Sequence, residues 1–117
     1  MDVMFRKDLP MALEALRRIC AELELPVVLK ETGCGFSSET LRRLNGVGLA
    51  AVDVSGLGGT HWGRIEGARA EENSVHAIAA ETFETWGEPT VESVVAARQE
   101  LSSKTEIWAS GGVRTGL

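Results

Sequence analysis

The chain has no tyrosine, two cysteines and three prolines, and its basic residues are outnumbered. Each shortage excludes something. Cys20 and Cys34 cannot make a disulfide framework, so reduced thiols in a cytoplasmic setting are the expectation. Twelve Lys and Arg against seventeen Asp and Glu give a net charge of −5. That balance provides no basic face for nucleic acid. No run of 18 apolar residues occurs, so no membrane-spanning helix is expected. The segment Met1-Asp2-Val3-Met4-Phe5-Arg6-Lys7 lacks the apolar core of a secretory signal. His61 and His76 have no second His or Cys at metal-ligand spacing. Cys34 lies between two glycines with no nearby base to activate it.

What is there suits one small globular domain: 117 residues, 44% hydrophobic and 25% charged. From Leu9 to Leu23, residues Leu13, Leu16, Ile19, Cys20 and Leu23 fall at helical spacing, with Asp8 as cap and Pro10 in the first turn. Pro26–Lys30 reads as a short apolar strand, of the kind covered on both faces in a parallel sheet. Ser37 or Ser38 caps a helix through Leu41 and Leu44, which Asn45-Gly46 closes. Ala50–Val54 is a second strand and Thr105–Ala109 a third. Residues 61–89 are less regular, with one helix expected near Val75–Phe83 and a stop at Gly87-Glu88-Pro89. Thr90 is expected to cap a helix that carries Val91, Val94, Val95 and Leu101 on one face. Strands alternating with helices imply an α/β fold with parallel strands and right-handed crossovers.

Each strand ends in a polar or glycine-rich turn, and α/β proteins bind ligands at these carboxyl ends. The last turn, Ser110-Gly111-Gly112-Val113-Arg114-Thr115-Gly116, has the chemistry of a phosphate cradle. Its glycines let N–H groups approach an anion and its Arg adds a fork of donors. Such a loop normally opens a helix, and no residue follows Leu117 to form one, so an incomplete protein is the expectation. Other glycine patterns fail on context. Gly46-Val47-Gly48-Leu49-Ala50-Ala51 precedes a strand instead of opening a helix. Gly56-Leu57-Gly58 has His61 where a third small residue belongs, and no Gly-Lys-Ser/Thr occurs. Lys30 is either a solvated rim charge or a ligand contact, and Ser55 and Thr60 are either turn residues or hydroxyl donors. Asp53 reads as a strand residue paired with a neighbour, Glu31 as a partner for Lys30, and Trp62 and Trp86 as packing residues.

The joint order of these segments is more specific than any one of them. Val28-Leu29-Lys30-Glu31 with Gly33-Cys34-Gly35, then Ala51–Thr60, Trp86-Gly87-Glu88-Pro89-Thr90 and Ala109–Gly116, resembles the flavin-dependent, type 2 isopentenyl-diphosphate isomerases. The resemblance covers the chain from Pro26 onward. It implies part of a (β/α)8 TIM barrel, about strands five to seven with their helices, in a single partial FMN-binding domain over residues 1–117 that is incomplete at both ends. It implies interconversion of isopentenyl and dimethylallyl diphosphate in isoprenoid biosynthesis, with FMN as cofactor, NADPH as reductant and Mg2+ holding the substrate. Proton transfer is assigned to reduced FMN, so no catalytic side chain is expected here, and the magnesium ligand is expected outside this chain. Lys30 would touch the flavin ring. Ser55 and Thr60 would hydrogen-bond the FMN chain and phosphate, and Gly111, Gly112, Val113 and Arg114 would hold the phosphate. The fragment alone is expected to be inactive, and a homo-oligomer without nucleic-acid or membrane partners is implied. Leu57, His61 and Glu88 depart from the family pattern. A related α-hydroxy-acid oxidase is the alternative, although the Ser55–Thr60 stretch lacks that superfamily's His-Gly-Gly-Arg pattern. A non-catalytic phosphate-binding remnant is a further alternative.

Overall fold

The computed structural model describes residues 2–115. Gly116 and Leu117, the end of the expected cradle, lie outside the described residues. The elements run α1 (Asp2–Glu22), β1 (Val28–Lys30), α2 (Ser38–Leu44), β2 (Ala51–Asp53), α3 (Trp62–Arg69), α4 (Val75–Thr82), α5 (Thr90–Glu100) and β3 (Glu106–Trp108). The three strands form one parallel sheet in the order β1-β2-β3. No helix among the described residues is long and apolar enough to cross a membrane.

Each strand is three residues long, shorter than its apolar run suggests. Pairing nevertheless continues past the strand ends. The Ala50 N–H donates to Val27 O at 2.9 Å, and the Val54 N–H donates to Trp108 O at 3.0 Å. The apolar runs therefore mark the hydrogen-bonded ladder, while the regular strand occupies only its middle.

Register places Leu29, Val52 and Ile107 on one row. This row faces the helices and joins the core of Leu41, Leu44, Val47, Leu49, Val54, Ala97 and Leu101. Leu41, Val52 and Val54 are fully buried, and each contributes roughly 1.5–3 kcal/mol of transfer free energy. Leu13, Leu16 and Cys20 of α1 pack on the same core. On the opposite face, Val28, Lys30, Glu106 and Trp108 of the outer strands remain exposed. Among the described residues the helices thus pack on one face of the sheet, and on the other only Ala51 and Asp53 of the middle strand are buried, in contrast to the two-sided cover expected from the apolar strands.

Four local expectations are corrected. Pro10 and Asp8 lie inside α1 instead of at its start. Pro89, not Thr90, is the N-cap of α5, and Thr90 is its first helical residue. Of the expected face of α5, Leu101 is buried and Val94 packs on the core, but Val91 and Val95 are 75% and 51% exposed, and the fully buried positions within the helix are Ser93 and Ala97. A small side chain is needed at Ser93 because the Gly35–Phe36 backbone approaches it closely, the Phe36 N–H donating to Ser93 Oγ at 3.2 Å. Finally, residues 61–89 hold two helices instead of one. They pack mainly on each other, Gly67 lying against Ala80, and neither has a buried residue.

Candidate functional site

Parallel register sets Lys30 beside Asp53 at the carboxyl ends of β1 and β2. Lys30 Nζ donates to Asp53 Oδ2 at 2.8 Å and to Ser110 Oγ at 3.0 Å. The Ser110 hydroxyl donates in turn to Asp53 Oδ1 at 2.7 Å. Lys30, Asp53 and Ser110 therefore close a ring of three hydrogen bonds drawn from all three strand ends. Burial alone would raise the Asp53 carboxyl. Hydrogen bonds from Lys30, Ser110 and the Ser55 N–H, with the lysine charge, outweigh it and hold the group below its ordinary value of 3.8.

The Ser55 N–H donates to Asp53 Oδ1 at 3.1 Å, an Asx turn that bends the chain sharply after β2. Ser55 takes φ +38°, a left-handed conformation unusual for a side chain with a Cβ. Its hydroxyl makes no hydrogen bond among the described residues, and neither does that of Thr60, which is exposed. Gly111 and Gly112 turn the chain after β3 with φ +98° and +75°. Among the described residues, the N–H groups of Gly111, Gly112 and Val113 donate to no acceptor. Val113 and Arg114 are exposed. Lys30, Ser55, Thr60 and the 111–114 turn thus share one rim.

The glycines have a second reason to be there. A Cβ on Gly111 would lie 2.1 Å from Gly56 O, one on Gly112 2.2 Å from Gly58 O, and one on Gly59 2.8 Å from Gly112 N. The turns after β2 and β3 interlock backbone to backbone, and no side chain fits between them. Thr90 reinforces the contact, its hydroxyl donating to the carbonyls of Ser110 and Gly111.

Glu31 does not pair with Lys30. Its Oε2 accepts from the N–H groups of Gly33 at 2.6 Å, Cys34 at 2.6 Å and Gly35 at 3.1 Å, so it fills its own backbone nest. Burial, then the Glu31 charge, pushes the Cys34 thiol up, which agrees with an unactivated cysteine. His61 caps α3, its Nδ1 accepting from the Arg64 N–H at 3.1 Å, while its buried Nε2 has no partner among the described residues. A cleft of about 400 Å3 lies elsewhere, between the Gly35–Thr40 segment and Trp86–Glu88, and none of the expected ligand residues lines it.

The rim gathers unspent N–H groups at Gly111–Val113, the exposed Arg114, the unbonded hydroxyls of Ser55 and Thr60, and Lys30, a donor set that fits an anionic ligand such as a phosphate ester. Asp53 is paired with a neighbour, as the sequence suggested, and Ser110 opens the expected cradle, but their bonding to Lys30 was not anticipated. Equal positions of Lys30 and Asp53 in successive parallel strands were the signal that could have found the pair.

No protein-family model matches the chain. Curated proteins do. The isopentenyl-diphosphate delta-isomerase of Legionella pneumophila (strain Corby) is 54% identical over 103 residues, which are 88% of this chain and 30% of the relative. The protein of that name from Bdellovibrio bacteriovorus is 47% identical over 110 residues, 94% of this chain and 31% of the relative. That of Oceanobacillus iheyensis is 37% identical over 116 residues, 99% of this chain and 32% of the relative. The chain spans about 30% of the length of the curated relatives it matches. Over some nine tenths of its length, then, this chain is a homologue of the isopentenyl-diphosphate delta-isomerases.

Proposed function

We propose that the chain is a segment of a type 2, FMN-dependent isopentenyl-diphosphate isomerase and supplies part of its FMN site. The observation that carries the cofactor assignment is the set of unspent N–H groups at Gly111–Val113 on the rim that holds Lys30. Gly111, Gly112, Val113 and Arg114 would hold the phosphate, Ser55 and Thr60 the ribityl chain and phosphate, and Lys30 the ring. Reduced FMN would supply the proton transfer that interconverts isopentenyl and dimethylallyl diphosphate. NADPH as reductant, Mg2+ at the substrate diphosphate, and a cytoplasmic homo-oligomer belong to the same reading.

A barrel is the architecture proposed for the whole. Sequential strand order and helices on one face support it, because doubly wound sheets reverse their order and carry helices on both faces. The exposed face with Lys30 and Trp108 would then be barrel interior. For the isolated chain the proposal is cofactor contact without turnover.

Titration of the chain with FMN, followed by flavin fluorescence, tests this. Quenching that saturates below about 100 µM, and that is lost in Arg114→Ala, is the expected result. Unchanged fluorescence through that range overturns the FMN assignment.

A further inference from the structure

A lysine ammonium has three protons to donate. Two of those on Lys30 are taken, by Asp53 Oδ2 and Ser110 Oγ. Both acceptors are themselves fixed. Asp53 is 9% exposed, and its other oxygen accepts from Ser110 and from the Ser55 N–H. Ser110 is anchored by its own carbonyl, which accepts from the Gly56 N–H at 3.0 Å. The Lys30 side chain, by contrast, is 55% exposed, and without these partners its four-carbon stem would be free to rotate.

We propose that Asp53 and Ser110 are positioning residues for Lys30, occupying two of its three protons so that a single N–H direction is left for the ligand. The proposal rests on the cofactor reading for the identity of that ligand, but not for the positioning itself. Asp53 also compensates the lysine charge. The Lys30 end of the rim therefore suits a ring edge rich in acceptors better than a phosphate, which goes to the turn bearing Arg114. Asp53 acts through Lys30 and makes no contact with the ligand.

The test separates the two claims. Acylation of lysine amines on the folded chain is followed by mass spectrometry, with Lys104 as internal reference. Lys30 is expected to react about threefold faster in Asp53→Asn and in Ser110→Ala than in the unsubstituted chain, the scale of losing a partly exposed ion pair. Should Asp53→Asn fail to fold, Ser110→Ala, which removes one hydroxyl, decides alone. Equal Lys30 rates in the folded variants overturn the positioning role. FMN affinity supplies the second readout. Asp53→Asn is expected to weaken binding about fivefold alone and less than twofold in a Lys30→Met background, because the two substitutions remove one shared interaction. Additive losses would mean a general structural effect and overturn the proposal. Absence of FMN binding by the unsubstituted chain would overturn the cofactor reading and leave the acylation result to decide the positioning.

Discussion

The sheet with α2 and α5 and the α3–α4 hairpin are held in different ways. In the first, Leu41, Val52, Val54 and Ala97 are completely shielded from water, and glycine turns touch backbone to backbone. In the second, no residue is buried, and Val75 and Ile78 stand 81% and 56% exposed. What holds the hairpin is local: His61 and Ser74 as N-caps, Gly67 against Ala80, Arg64 donating to Glu84 O, and an edge-on pair of Phe83 and Trp86 at 5.6 Å. One region is a cooperative core and the other a local excursion between β2 and α5. The rim belongs to the first, so its donors inherit the rigidity of the sheet.

The largest expected effect breaks the core. Leu41→Ala should cost about 3 kcal/mol, through lost transfer energy and the cavity left behind. A fall in the urea midpoint with an unchanged slope would check it. A cost below about 1 kcal/mol would mean that α2 is not part of the cooperative unit.

Acid should weaken the same region next. The Asp53 carboxyl is held below 3.8 in the folded chain, so its stabilisation is present above that pH and lost as pH falls through the folded value. Unfolding followed between pH 6 and pH 2 should show a loss below about pH 4 that is smaller in Asp53→Asn. Identical pH profiles for the two proteins would remove Asp53 from the account.

The smallest effect sharpens the other side of the comparison. Ser74→Ala deletes the hydroxyl that accepts from the Ala77 N–H, worth about 1 kcal/mol to α4. Amide exchange should quicken over residues 75–82 while the core midpoint stays put. An equal loss of protection in β2 would show that the hairpin and core unfold together.

Legibility followed the same division. The strands and α2 were readable because apolar runs and side-chain caps declare themselves locally; Ser37 does accept from the Thr40 N–H. The α3 helix was not readable, because Trp62–Arg69 has no apolar stripe and takes a histidine as its cap. The buried face of α5 was half legible: Val94 and Leu101 pack on the core as their spacing implied, but Ser93 is there for fit against Gly35 and Phe36, a fact held in a segment some 60 residues away. At the rim, the pairing of Lys30 with Asp53 depended on strand register, and the glycines answered to each other as well as to any ligand. Glu31 was misread because its nest is made by the backbone of the Gly33–Gly35 turn itself, not by its charged neighbour.

The interlocked turns also set an order of events. The Ser55–Thr60 loop is shaped by Gly111 and Gly112, more than 50 residues later in the chain. Closing so distant a contact is slow relative to forming α2 or α4, which need only near neighbours. The donor rim therefore takes shape late, after β3 has docked on β2. During synthesis and refolding, the assembled donor rim should appear with the last contacts made instead of growing gradually with helix content.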